Sequence, residues 1–147
     1  MSYWIFKTNP EQYRIDERLQ DPNPTTTWSV TRYKREIRKD DVAFIWRTGN
    51  RRGICAVMRI DTDPKEMAEI ESEQKYQVKR DGAIKTRVLG TLTHRLVPNH
   101  IPAEDLKKDV QFKNLPVFHG YQAMTNFKIE DSEAKALLEL ISRKHLQ

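Results

Sequence analysis

The sequence predicts an α+β fold, namely a small mixed β-barrel of about five to seven strands with short helices around it. Several short apolar runs are separated by turn-forming residues, and segments with helical signals lie between these runs. The chain ends in an amphipathic helix whose apolar stripe is formed by Ala134, Leu137, Leu138 and Ile141. A length of 147 residues corresponds to one ordinary domain, so we expect residues 1–147 to form a single domain.

The N-terminal half contains three apolar runs that predict buried strands. Tyr3–Thr8 is the first, and Val42–Trp46 and Ile54–Ile60 are predicted to form a hairpin. Trp28–Val30 begins another element after a polar stretch. The basic segment that follows it, Arg32–Lys39, predicts about two helical turns.

The C-terminal half alternates helical and extended patterns. Asp63–Glu71 predicts a short acidic helix, and Tyr76–Arg80 with Arg87–Val97 predicts a second hairpin. In the return strand of that hairpin, a period of two places five residues on one face, namely Val88, Gly90, Leu92, His94 and Leu96. Ala103–Asp109 follows a proline and predicts another short helix, and Phe127–Ile129 predicts a last strand before the C-terminal helix.

The charge of the chain and its lack of targeting signals limit the classes of partner that are expected. The 26 Lys and Arg outnumber the 21 Asp and Glu, which gives a net charge of +5 and a pI of about 9.3. An excess of cations favours a polyanionic partner, because phosphate neutralisation releases counterions. The start, Met1–Lys7, lacks the basic and apolar regions of a signal peptide, and no apolar run approaches the roughly 20 residues of a membrane span. We therefore expect a cytoplasmic protein with no membrane partner.

The sequence contains little that indicates catalysis. Cys55 is the only cysteine, so an internal disulfide is excluded, and its apolar strand predicts an inert buried thiol. The four histidines do not have metal-ligand spacing, and no phosphate-binding loop or nucleophile elbow is present. We expect a non-enzymatic protein without catalytic residues, metal or cofactor.

Four segments resemble the motifs of a known family in the order in which that family has them. They are Trp4–Pro10, Thr27–Thr31, Lys39–Gly49 with Gly53–Ala56, and Gly120–Phe127. On these residues the chain resembles the EVE domain family, which belongs to the PUA-like group of folds and is similar to the YTH domains. YTH domains hold methylated adenine of RNA in an aromatic cage. The resemblance implies a PUA-like β-barrel with a cavity for a modified base.

The resemblance also implies roles for individual residues. Trp28 matches the first cage tryptophan, the end of the first strand lines the pocket, and the first hairpin faces the cavity. The expected base-binding residues are Lys7, Thr8, Asn9, Trp28, Val30, Trp46, Arg47, Thr48 and Gln122. The second cage aromatic stays open among Tyr76, Phe118 and Tyr121.

The residue types suit this chemistry. Extraction of a base from its stack costs a few kcal/mol, and stacking on an aromatic side chain recovers about 1–3 kcal/mol. Tryptophan offers the largest π-face for this purpose. Basic residues at the mouth of the pocket are expected to bind phosphates, namely Lys34, Arg35, Arg51 and Arg52. Without the resemblance, Trp28 is more typical of a core residue that closes one end of the core, and the resemblance favours the pocket role instead.

The favoured function is a nucleic-acid-binding module that holds a flipped base, methylated or hydroxymethylated cytosine or adenine, in DNA. Because several EVE proteins are coupled to DNA restriction, the resemblance also implies a separate nuclease or other effector protein as a partner. Three other functions stay open: a PUA-like module for modified RNA, an enzyme that acts on a small nucleotide-like ligand, and a protein-interaction domain.

Overall fold

The computed structural model describes residues 1–80, 82–120 and 123–145, and their strands form one mixed sheet. The strands are β1 (Tyr3–Thr8), β2 (Thr25–Ser29), β3 (Val42–Arg47), β4 (Gly53–Ile60), β5 (Lys65–Met67), β6 (Lys85–Arg95), β7 (Ile101–Pro102) and β8 (Asn126–Ile129). The helices are α1 (Ile15–Gln20), α2 (Glu71–Gln74), α3 (Ala103–Lys108) and α4 (Asp131–His145), with a 3-10 turn at Pro116–Phe118. This architecture confirms the predicted α+β class.

The strand order is β2-β6-β4-β3-β1-β8, and the short strands β5 and β7 pair with β6 and β4. The β1–β3 pair is parallel, whereas the other pairs are antiparallel. The sheet has 8 strands, which is more than predicted. The additional strands β5 and β7 have only 3 and 2 residues, too few to form an apolar run that the sequence would show.

The central strands β1, β3 and β4 are buried on both faces, which explains their continuous apolar sequences. Alternate residues enter two separate cores: Phe6 and Ile45 belong to one, and Ile5 and Phe44 belong to the other. Helix α4 packs against the second core through three fully buried residues, Ala134, Leu137 and Ile141. Among the described residues, no helix is long and apolar enough to cross a membrane.

The two outermost strands, β2 and β8, lie near each other without a backbone ladder between them in the described ranges, so the sheet is not closed. The fully buried side chain of Asn126 bridges this gap. Its Oδ1 accepts a hydrogen bond from the Thr31 amide at 2.9 Å, and its Nδ2 donates to the Ser29 carbonyl at 3.2 Å. Side-chain hydrogen bonds therefore hold the sheet curved around an opening.

Two predicted helices do not form. Residues 32–39 consist of turns, because Tyr33 adopts a left-handed conformation with φ of 61° and its carbonyl accepts from the amides of Glu36 and Ile37. Within the predicted acidic helix 63–71, residues 65–67 instead pair with β6 as strand β5. In this second case a long-range backbone ladder overrides the local helical preference.

The prediction of a second hairpin is also wrong. Residues 76–80 contain only an isolated bridge between Tyr13 and Gln77, and β6 pairs with β2, β4 and β5 instead. The expected common face of β6 breaks at a register shift opposite Val57 and Met58, so His94 is exposed whereas Leu92 and Leu96 are buried. Helix α1 falls in a stretch for which no helix was predicted.

Candidate functional site

A cavity of about 440 Å³ opens at the end of β1, beside β2 and the gap that Asn126 bridges. Its volume lies within the range of about 300–1,000 Å³ that is typical of ligand sites. The described lining residues come from β1 and the following turn, from β2 and β6, and from five other loops. They are Phe6, Lys7, Thr8, Asn9, Gln12, Tyr13, Thr27, Trp28, Ser29, Thr31, Thr48, Glu69, Gln77, Arg87, Ala123 and Thr125.

Two large aromatic side chains form one wall of the cavity. Trp28 and Tyr13 are each 8% exposed, and their rings meet at a centroid distance of 5.6 Å and an angle of 72°. Among the described residues, the Trp28 Nε1 and the Thr27 Oγ1 are buried without a hydrogen-bond partner. An unpaired buried polar group is costly, so a bound molecule with a matching polar group would gain from this wall.

Tyr13 is the aromatic partner of Trp28 that the sequence did not reveal. Of the three predicted candidates, Tyr76 lies behind Tyr13, at a ring distance of 6.5 Å, and Phe118 packs against Trp46 at 5.5 Å; neither lines the cavity. Tyr121 lies outside the described residues. Tyr13 could have been identified from one feature of the sequence. It is an aromatic residue in a polar stretch, and it follows shortly after the strand end that was expected to line the pocket.

A buried polar network fixes this aromatic wall. The Tyr13 hydroxyl donates to the Glu73 carboxylate, which also accepts from the Arg18 Nε. Arg18 and Glu73 are 1% and 0% exposed. The Arg18 Nη2 also donates to the carbonyls of Asn23 and Thr25, at 2.8 and 2.7 Å, and so ties α1 to the start of β2. Burial, and then the negative charge of Glu73, raises the pKa of Tyr13, which keeps its hydroxyl protonated.

The cavity lining also contains an ion pair. The Arg87 Nη1 lies 3.6 Å from the Glu69 Oε2, and these side chains are 7% and 10% exposed. The Gln77 amide donates to the same oxygen at 2.8 Å, and the Arg87 Nε donates to the Met67 carbonyl at 3.2 Å. The cavity therefore presents a carboxylate and a guanidinium side by side, which suits a planar ligand with both donors and acceptors on its edge.

The end of β1 supplies the third part of the lining. Burial lowers the pKa of Lys7, and its Nζ lies 5.8 Å from the centre of the Phe127 ring. Thr8 is buried, whereas Asn9 is exposed and its Oδ1 accepts from the Glu11 amide at 2.9 Å. Asn9 thus shapes the turn after β1 as well as the rim of the cavity.

The EVE domain family model matches residues 2–140, almost the whole chain. This chain belongs to the EVE domain family. The resemblance inferred from the four sequence motifs is thereby confirmed.

Solved structures are similar to this EVE domain over nearly its full length. A hypothetical protein from Leishmania major has a TM-score of 0.71 and 13% identity, with 99% of this chain and 97% of that chain covered. Human THYN1, solved in complex with 5-methylcytosine containing DNA, has a TM-score of 0.64 and 20% identity, with 96% and 98% covered. At these identities the likeness establishes the fold. The curated proteins give no match to the chain.

The EVE domain places the predicted base-binding residues in two groups. Lys7, Thr8, Asn9, Trp28 and Thr48 line the cavity together. Val30, Trp46 and Arg47 do not line it: Val30 and Trp46 are 2% and 4% exposed within the cores, and Arg47 donates to Asp16. Gln122 lies outside the described residues.

Trp46 points away from the cavity because of the alternation along β3. Its neighbour Ile45 enters the same core as Trp28, so Trp46 enters the opposite core. Arg47 is held at the hairpin by the Asp16 carboxylate, at 3.0 Å.

The predicted phosphate-binding residues are exposed, but they do not line the cavity. Lys34 and Arg35 lie in the turn region before β3, and Arg51 lies in the β3–β4 turn. The Arg52 Nη2 donates to the Glu104 carboxylate at 2.7 Å. The phosphate role of these four residues stays a prediction.

The thiol of Cys55 is expected to be unreactive in the folded EVE domain. Its side chain is buried in β4 and donates to the Ile45 carbonyl, and burial raises its pKa to about 12. At pH 8 the thiolate, which is the reactive form, is therefore scarce as well as inaccessible. We expect a disulfide reagent to modify the folded protein at least about 100-fold more slowly than the urea-unfolded protein. Equal rates in the two states would contradict this burial.

Proposed function

We propose that this EVE domain binds DNA and holds one modified base, flipped out of the stack, against Trp28 and Tyr13. The observation that carries the proposal is the open cavity of about 440 Å³ that adjoins both rings. The DNA complex of human THYN1, a structure with the same fold, supports nucleic acid as the ligand. The net charge of +5 favours the same class of partner.

The wall chemistry supports a flipped base over other small ligands. Every nucleobase has a π-face that an aromatic wall can bind, which returns about 1–3 kcal/mol of the unstacking cost. The network of Arg18 and Glu73 keeps Tyr13 in place, so little ordering is required on binding.

Among the modified bases, we favour cytosine. The Glu69 carboxylate can accept from the exocyclic amine of cytosine, and the adjacent Arg87 guanidinium can donate to its ring acceptors. Thymine and uracil have a carbonyl oxygen at the position of the cytosine amine. That oxygen and the Glu69 carboxylate are both acceptors, so no hydrogen bond could form between them. The 5-methylcytosine in the DNA bound to human THYN1 points to the same base.

The proposal is tested by equilibrium binding of fluorescent oligonucleotides that differ only in one central base. The set contains cytosine, 5-methylcytosine, 5-hydroxymethylcytosine, adenine and N6-methyladenine in single- and double-stranded DNA, with matched RNA. Burial of one methyl group contributes about 0.8 kcal/mol, so DNA with 5-methylcytosine should bind about four-fold more tightly than plain DNA. Equal affinity for all DNA oligonucleotides would refute base reading, and tighter binding of the RNA set would favour the RNA-binding alternative.

A further inference from the structure

A second concavity, of about 410 Å³, adjoins the base cavity. The two share the lining residues Gln12, Ser29, Glu69, Gln77 and Arg87. Beyond this shared wall, the second concavity is lined by Gln74, Lys79, Arg80, Gly82 and Lys85. We call it the basic groove. The base cavity and the basic groove are therefore adjacent to each other.

The described lining of the basic groove contains more cations than carboxylates. Lys79, Arg80 and Lys85 are exposed, and neither Lys79 nor Arg80 pairs with an acidic side chain among the described residues. The one carboxylate in the described lining, Glu69, faces the Arg87 guanidinium at 3.6 Å. Lys79 and Arg80 are therefore available to a negatively charged ligand, and Lys85 adds to the positive charge of the same lining.

The loop that carries these cations is anchored at both ends. The Val78 amide donates to the Gln12 carbonyl at 3.0 Å, and the Arg87 Nη2 donates to the Ala83 carbonyl at 3.4 Å. Gly82 has a φ of 61°, and, its chain neighbours aside, no described residue lies within 4 Å of the position that a Cβ would occupy. The anchors place the cations beside the residues that line the base cavity.

We infer that the basic groove binds the phosphodiester backbone next to the flipped nucleotide, an assignment that rests on the proposed function. A base in the cavity stays linked through its sugar to the phosphates on either side, so the backbone has to leave at the cavity mouth. The basic groove adjoins that mouth and carries cations that match phosphate. Lys34, Arg35 and Arg51 belong to neither lining and form the competing assignment.

The test compares two triple variants that remove the same charge. The groove variant is Lys79→Gln, Arg80→Gln and Lys85→Gln. The control is Lys108→Gln, Lys113→Gln and Lys135→Gln, which are exposed and lie outside both concavities. Affinity for a double-stranded oligonucleotide with one 5-methylcytosine is measured from 50 to 200 mM salt. Each lost phosphate contact makes the slope of log K against log salt less negative by about 0.9, so the slope of the groove variant should be less negative by about 2 to 3.

The control should change the slope by less than about 0.5, since only direct phosphate contacts release condensed counterions. Equal slopes for the two triple variants would overturn the inference, as would a loss confined to a third variant, Lys34→Gln, Arg35→Gln and Arg51→Gln. In either case, a wild-type preference for 5-methylcytosine would leave the proposed function intact. Failure of the wild type to bind any oligonucleotide would overturn both. If the groove variant proves unstable by thermal unfolding, Arg80→Gln alone should still make the slope less negative by about 0.9.

Discussion

Replacement of Trp28 by alanine is expected to abolish the preference for modified over plain DNA while salt-dependent background binding persists. Trp28 adjoins the cavity and supplies its largest aromatic surface. Loss of one stacking platform costs about 1–3 kcal/mol, which corresponds to about a 5- to 150-fold weaker binding of modified DNA. The measurement is the ratio of the dissociation constants for matched 5-methylcytosine and cytosine oligonucleotides at two salt concentrations.

Trp28→Phe is the matched control, since it keeps a π-face at the same position. Trp28 is also a core residue at 8% exposure, so thermal unfolding has to accompany the binding data. The phenylalanine variant should retain a preference between those of the wild type and the alanine variant. If alanine weakens modified and plain DNA by the same factor, Trp28 contributes to the fold and not to base recognition.

The strands that could be predicted from the sequence are those whose apolar signal is local. β1, β3 and β4 are buried on both faces, so their residues are apolar without interruption, and the predicted limits agree closely with the structure. Residues 65–67 contain one apolar residue, Met67, and no apolar run, and they form a strand only because they pair with β6. Their local sequence favours a helix, and only the tertiary structure decides otherwise.

In the candidate site, too, some residues have a local sequence signal and others are brought together only by the tertiary structure. Lys7, Thr8 and Trp28 could be named because they lie in motifs that the family resemblance covers. Glu69 and Arg87 could not, because a partner 18 residues away along the chain leaves no local pattern. The cavity is assembled from segments that meet only after the sheet forms.

The network behind the aromatic wall gives the largest expected effect on stability. Arg18→Met leaves the Glu73 carboxylate, which is fully buried, without its cation. Removal of one partner from a buried ion pair typically costs about 3–5 kcal/mol. We therefore expect a loss of this size in the free energy of unfolding, measured by urea denaturation followed by tryptophan fluorescence.

A double variant and a surface pair decide whether this loss has an electrostatic origin. In Arg18→Met with Glu73→Gln, no buried charge is left unpaired, so the double variant should be more stable than Arg18→Met alone. The Arg52–Glu104 pair has a short contact of 2.7 Å, but its side chains are 47% and 63% exposed. Arg52→Met should therefore leave the unfolding midpoint nearly unchanged. A double variant no more stable than Arg18→Met would mean that packing around the Arg18 side chain, and not its charge, holds α1 against β2 and keeps Tyr13 beside Trp28.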